Sequence, residues 1–334
     1  PAFAGLPTSR HEAACASGSI AILAAAAEIE AGRYQLAAVV GLEQMKTVDT
    51  ATGGDFLGTA GWYERECKGK DYPFPSLFGR LGDEYDRRYG LKDEHLARIS
   101  AINFANARRN PLAQTRAWPA PEADPKQAGK MSQTVAGRLK VRDCSQVTDG
   151  VAVLLLASAD YAGRYAARRG RPLDAIPRIL GWGHRTAPIE FDAKLRESRE
   201  ERYVLPHTRE AILDAFRRAG VGSVHELSGI ETHDCFTTSE YMAIDHFGIT
   251  APGESWKAIE DGTIELGGRL PINPSGGLIG AGHPVGATGV RQMLDAWRQV
   301  TGNAGDYQVA GARRFAILNI GGSATTNCAF VVGM

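Results

Sequence analysis

Short, wholly apolar runs alternate along the chain with longer stretches of helical character. Leu36–Gly41 (LAAVVG) and Val151–Ala157 (VAVLLLA) are uninterrupted apolar segments, a pattern that predicts strands buried on both faces. Ser17-Gly18-Ser19 introduces an Ala-rich stretch to Glu30 that Gly32 stops, which predicts a helix made of strong helix formers. Beyond Pro172 the rhythm repeats. Ile176–Trp182 and Gly229–His233 read as strands, and His207–Ala219, Thr237–Phe247 and Ala287–Val300 as helices. Arg314–Asn319 and Asn327–Val332, separated by Gly321-Gly322-Ser323, predict a terminal hairpin. Strands alternating with helices argue for an α/β architecture.

From Asp49 to Arg142 the rhythm breaks. Gly, Pro, Trp and charged residues interleave, and helical periodicity is strong only at Leu77–Tyr89 and Asp93–Arg109. A Pro-rich connector follows at Trp118–Pro125, and Arg168–Pro172 is a basic linker punctuated by Gly and Pro. The expected layout is an N-terminal half over 1–165 with 49–142 inserted as a cap, then a C-terminal half over 172–334. Leu36–Gly41 and Val151–Ala157 are expected in one sheet.

Composition narrows the function classes. The 334 residues are 43% hydrophobic and 23% charged, as in globular proteins. Lys+Arg and Asp+Glu balance at 38 each, which removes any global argument for a nucleic-acid or acidic-membrane partner. No apolar run approaches the roughly 20 residues of a membrane-spanning helix. The five cysteines form no CxxC pair and suit a reduced intracellular protein, with neither a disulfide framework nor a metal ribbon expected.

Four places carry candidate chemistry. Cys15, in HEAACASGS, stands just before a predicted helix, where free N–H groups and the helix dipole favour thiolate. The expectation is a pKa below the usual thiol value of about 8.5. ETHDCF puts His233 and Cys235 at a strand end, where ligands gather in α/β folds. No second pair completes four metal ligands around them. His283 sits in the glycine-rich NPSGGLIGAGHPVGATG, whose spacing fits neither GxGxxG nor a phosphate loop, so it reads as an imidazole presented on a tight turn. Asn319-Ile320-Gly321-Gly322-Ser323 offers glycine N–H groups to an anionic intermediate.

CASG, HDCF and NPSGGLIGAGHPVGATG together resemble the thiolase superfamily, HDCF being similar to the sterol-carrier-protein-2 type. NPLAQ at Asn110–Gln114, Lys130-Met131-Ser132 and DCSQVTDG at Asp143–Gly150 extend the resemblance over the whole chain. It implies a thiolase-like fold of two similar α/β halves in layers with an inserted loop domain, lacking its first strands in this sequence. It implies an acyl-CoA C-acyltransferase, working on coenzyme A esters without cofactor or metal, as a homodimer or larger homo-oligomer in the cytoplasm. No peroxisomal signal closes the chain. By resemblance Cys15 would be the acyl-accepting nucleophile and His283 its base, which also helps hold the thioester oxygen in an oxyanion hole once a second substrate binds. His233, in place of the usual Asn, would donate to an oxyanion, with Cys15 and Gly321 N–H forming the other oxyanion hole. Asn319 replaces the usual acid/base cysteine, so proton transfer would pass to Cys235. Met131, Ser132, Ser275 and Gly276 would contact substrate or coenzyme A. The basic stretch Ala101–Arg142 would lie over the nucleotide. The competing readings are a thiolase-fold retro-aldolase and a non-catalytic acyl-CoA- or lipid-binding protein.

Overall fold

A computed structural model describes residues 4–118 and 125–334. The inner part of the Pro-rich connector, 119–124, lies outside the described residues. In chain order the first part contains α1 (Ser17–Glu30), β1 (Leu36–Glu43), α2 (Thr50–Gly58), α3 (Pro73–Tyr89), α4 (Asp93–Arg109), α5 (Pro125–Met131), β2 (Thr134–Ala136), β3 (Leu139–Lys140) and β4 (Gly150–Ala157). There follow α6 (Ala159–Arg168), β5 (Arg178–Thr186), α7 (Phe191–Glu197), α8 (Pro206–Ala219), β6 (Gly229–Glu231) and α9 (Thr237–Phe247). Last come α10 (Ser255–Glu260), α11 (Gly277–Ala281), α12 (Thr288–Val300), β7 (Arg314–Gly321) and β8 (Thr326–Gly333).

The α/β expectation holds. β1 and β4 pair antiparallel, Leu36 opposite Ala157 and Glu43 opposite Gly150, so the two apolar runs share a sheet. The second sheet has the order β5-β8-β7-β6; its β7–β8 hairpin is antiparallel and β6 joins β7 in parallel. Between the sheets lie α1 and α12. Their Ile22, Val290 and Met293 pack with Val39 and Leu154 of the small sheet and with Phe315, Ile317 and Phe330 of the large one. A larger core lies on the far face of the second sheet. There Leu77, Phe78 and Tyr85 of α3 and Leu96 and Ile99 of α4 join Ile212 of α8 and Ile244 and Phe247 of α9. The helices of the 49–142 stretch are therefore fastened to the second half by apolar burial.

One expectation fails. β1 and β4 are buried on one face only: Leu42 is 65% exposed and Leu155 66%. A single helical layer covers this sheet from inside, and the outward residues Leu36, Val40, Val151 and Val153 stay uncovered. Because the outward positions are also apolar, the period-2 signature of a half-exposed strand is missing from the sequence.

The crossing of α1 and α12 sets the geometry of everything near it. A Cβ on Gly289 would stand 2.4 Å from Ser19 Oγ, and one on Gly18 would stand 2.9 Å from Val290 N. Only hydrogen fits at either place, so the helix starts approach closely. β6 ends at Glu231 because the next N–H, that of Thr232, is taken by Asn273 Oδ1 at 2.8 Å. The strand thereby hands its chain over to the glycine-rich loop.

Candidate active site

Three chain segments converge at the start of α1, and each holds one residue in an uncommon backbone conformation. Ala14 (φ 51°), Asn273 (φ 49°) and Ala324 (φ 65°) are the non-glycine residues with positive φ among the described residues. Such strain persists where surrounding structure enforces it. Ala14 opens the short 3-10 turn Ala14–Ala16 ahead of α1. Its N–H is held by Glu12 Oε1 at 2.6 Å, while Ser17 Oγ donates to Ala14 O at 2.6 Å. This turn presents the half-buried Cys15 beside Gly321, whose added Cβ would stand 2.2 Å from Ala13 O and 3.2 Å from Ala16 N.

His233 and His283 complete the group: one ligand atom from each, with Cys15 Sγ, lie within 4.8 Å of one another. The two imidazoles meet edge to face, with centroids 5.3 Å apart. His283 is fixed by its backbone, its N–H donating to Gln146 O at 2.9 Å and its carbonyl accepting from Thr148 N. Asp234, next to His233, accepts the N–H groups of Leu278 and Ile279 at 2.6 and 3.0 Å. It thus caps α11, the turn that leads into His283. Glu231 holds the other end of that loop, accepting from Ser275 N and, at 2.6 Å, from Ser275 Oγ.

The hydrogen bonds point to a different tautomer at each ring. Thr288 Oγ1 donates to Pro284 O at 3.0 Å, so its lone pair is what faces His283 Nδ1 at 2.7 Å. His283 therefore carries its proton on Nδ1 and leaves Nε2 bare. Around His233 the logic reverses. Ser19 Oγ donates to Asn319 Oδ1 at 2.6 Å, which turns the Asn319 amide nitrogen toward Cys15 O and His233 Nδ1, both 3.1 Å away. His233 Nδ1 accepts, so Nε2 carries the proton. One imidazole is a base and the other a donor, as each ring's second nitrogen dictates. The Cys–His–His composition would suit a soft metal ion, but His233 in this tautomer has no lone pair to give.

Burial sets the charge state. It pushes the Cys15 thiol up to about 12, with the charges of Glu43 and Glu12 adding to the effect and the Cys15 and Gly322 N–H groups opposing it. The expected low-pKa thiolate is thereby corrected: the helix start is present, but desolvation outweighs it. His283 is pushed down to about 3 by burial and by the Arg291 charge. His233 falls well below the ordinary range through burial, His283 and Arg291. The resting site is an uncharged thiol beside two neutral imidazoles. Cys235 is buried, its thiol driven well above the usual value by desolvation first and then by Cys15. Its sulfur is 3.8 Å from Ser239 Oγ.

A cavity of about 390 Å³ opens beside the turn, lined among others by Ala13, Ala14, Met45, Phe56, Val285, Gly321 and Gly322. Gly321 and Gly322 both face the cavity. The four residues expected to contact substrate or coenzyme A are not part of this cavity's lining. Met131 is buried with Phe104 and Ile279, and Ser132 is exposed. Ser275 is engaged by Glu231, and Gly276 packs on Ala107 of α4. Of the basic residues in 101–142, Arg138 is paired with Asp83 and Asp86. Thr288, Ser19 and Asp234 take parts that motif reading had not given them.

Comparisons with known proteins bear on the family and the fold. A family model described as "Thiolase C-terminal domain-like" matches residues 193–334. The acetyl-CoA acetyltransferase of Methanothermobacter thermautotrophicus is 32% identical over 321 residues, covering 96% of this chain and 78% of that protein. Sterol carrier protein 2 of Gallus gallus is 28% identical over 324 residues, covering 95% of this chain and 57% of that longer protein. Among solved structures, an "Ltp2-ChsH2(DUF35) aldolase" superposes with a TM-score of 0.74 at 20% identity, over 97% of this chain and 78% of that one. The dimeric peroxisomal thiolase of Saccharomyces cerevisiae gives 0.61 at 17% identity, over 96% and 75%. These two likenesses establish the fold.

Proposed function

The chain belongs to the thiolase family, and on that premise we propose that it is an acyl-CoA C-acyltransferase that cleaves 3-ketoacyl-CoA or condenses acyl-CoA through a thioester on Cys15. The observation that carries this reading is the opposed pair of tautomers around one thiol, a bare Nε2 on His283 and an Nε2–H on His233. Acyl transfer needs one base and one oxyanion donor there.

In the cleavage direction, Cys15 gives its proton to His283 Nε2 as the sulfur adds to the keto carbon of the substrate. The oxyanion takes hydrogen bonds from N–H donors at the site, His233 Nε2–H among them. The bond between the α and β carbons then breaks and its electron pair goes to the α carbon of the departing acetyl-CoA. Cys235, a thiol held protonated by burial, supplies the proton. A second coenzyme A thiol attacks the acyl-Cys15 thioester and returns its proton to Cys235, and Cys15 recovers its own from His283. No metal or prosthetic group enters this scheme. A reducing cytoplasm suits the five free cysteines, and a homo-oligomer is part of the same proposal.

The test is consumption of a 3-ketoacyl-CoA. A thiolase requires added coenzyme A and releases acetyl-CoA, whereas a retro-aldolase would cleave a β-hydroxyacyl-CoA without it and would survive Cys15→Ala. Cys235→Ala is expected to leave Cys15 able to take an acetyl group from acetyl-CoA while stopping turnover. Near-normal turnover of Cys235→Ala would assign the proton step to another group.

A further inference from the structure

Lys194 has no part in the scheme above, yet its surroundings tie it to the site. It lies on α7, 4% exposed, and is absent from the ion pairs of the described residues. All three protons of its ammonium find neutral acceptors: Ser323 Oγ at 2.6 Å, Thr325 Oγ1 at 2.9 Å and Ile189 O at 3.4 Å. Two of these belong to the Gly321–Thr325 turn between β7 and β8. That turn packs on the turn that carries Cys15, where a Cβ on Gly321 would stand 2.2 Å from Ala13 O and 3.2 Å from Ala16 N, and it holds two left-handed residues, Gly322 at φ 62° and Ala324 at φ 65°. A left-handed alanine costs energy that something must offset. The turn is also pressed from the other side, where a Cβ on Gly322 would stand 2.6 Å from Ala60 O. A buried, unpaired ammonium is itself costly, and burial lowers its pKa to about 8 against the attraction of Glu66. An apolar residue of the same length would fill the space without that penalty.

We propose that Lys194 is a positioning residue for acyl transfer: its ammonium clamps the Gly321–Thr325 turn through Ser323 and Thr325 and so holds the turn's glycine backbone against the Ala14–Ala16 turn that carries Cys15. The catalytic consequence rests on the acyltransferase reading; the clamp itself does not.

The experiment measures the pH dependence of Cys15 alkylation by iodoacetamide in the full chain, located by peptide mass spectrometry. Single-turnover acylation by acetyl-CoA is followed in parallel. The other groups around Cys15 (Glu12, Glu43, His233, Cys235, His283) and around Lys194 (Glu66, Glu190, Glu197, His207) remain as they are. Lys194→Met is expected to move the alkylation profile to higher pH, slowing the reaction several-fold at fixed pH. Acylation at saturating acetyl-CoA should fall roughly 10–100-fold, below the loss for deleting a direct oxyanion donor, with the half-saturating concentration unchanged. The melting temperature should not fall, because an unpaired buried charge has been removed. Ser323→Ala combined with Thr325→Val, which keeps the lysine charge, should reproduce the shift. An unchanged alkylation profile in Lys194→Met overturns the proposal, whether or not acetyl-CoA acylates the wild type. So does a shift seen only with Lys194→Met, which would make the effect one of charge alone. A shifted profile in both variants, with a wild type that acetyl-CoA never acylates, would sink the acyltransferase reading and leave the clamp standing.

Discussion

Asn319 shows how one amide decides what a neighbouring imidazole can do. With Ser19 donating to its oxygen and Cys15 O accepting from its nitrogen, it can only donate to His233. Asn319→Asp replaces that donor with an acceptor, which puts the His233 proton on Nδ1 and a bare Nε2 beside the sulfur. The expected result is a kcat loss of about 10²–10³, the scale for removing one oxyanion donor, with KM little changed. The same variant should gain a Cys–His–His site, read as a thiolate-to-metal absorption band on adding Co²⁺. Wild-type kcat and no band in Asn319→Asp would refute the tautomer assignment. The sequence marked Asn319 as a lost acid/base cysteine and nothing more. Its actual task depends on Ser19 and His233, far from it along the chain, and pattern reading has no access to that juxtaposition. For Cys15 the sequence suggests a candidate nucleophile and a low-pKa thiolate, while burial pushes the thiol up; a helix start is visible in sequence and the depth of burial is not.

The α1–α12 crossing is the element on which the site stands. Gly289→Ala would place a methyl 2.4 Å from Ser19 Oγ and 2.6 Å from Asn319 Oδ1. Overpacking of this kind costs about 1–3 kcal/mol, and it would break the chain from Ser19 to His233. Thermal unfolding should show the loss, and kcat should drop further than the fraction unfolded accounts for. Gly163→Ala is the control: it lies in α6 with nothing within 4 Å of an added Cβ, so about 0.5–1 kcal/mol of stabilisation is expected there. Equal effects at the two glycines would show that the crossing has no special role. Most long elements were legible to within a few positions, α9 at both ends, because their apolar period or their caps are written locally. The short α7 was not: Phe191–Glu197 is about two charged turns, and its importance comes from Lys194 alone. The faces of β1 and β4 were misread for the converse reason, since apolar residues occupy both.

At the scale of the whole molecule, buried ionisable groups around the site set opposite limits on stability. His283, held at about 3, is neutral in the fold while the unfolded chain takes up a proton near 6.5, so its contribution is lost as pH falls below that value. Glu231 runs the other way. Burial and Asp295 raise it to about 8, so the fold keeps a proton that the unfolded chain releases near 4.5. Stability from that group is present below about 4.5 and is lost as pH rises through about 8. The melting temperature should therefore peak between these limits, and Glu231→Gln should flatten the alkaline limb while leaving the acid limb in place. An unchanged alkaline limb would mean that Glu231 is ionised in the fold. The α/β architecture and the convergence of Cys15, His233 and His283 were both expected from sequence. The charge states that make them a site came only from their three-dimensional surroundings. The central claim is that Cys15 accepts an acyl group with His283 as its base. Incubation with acetyl-CoA followed by intact-mass and peptide analysis tests it most directly. One acetyl group is expected on Cys15, discharged by added coenzyme A, absent in Cys15→Ala and formed far more slowly in His283→Ala; an unmodified Cys15, or acetylation that is indifferent to His283, would contradict it.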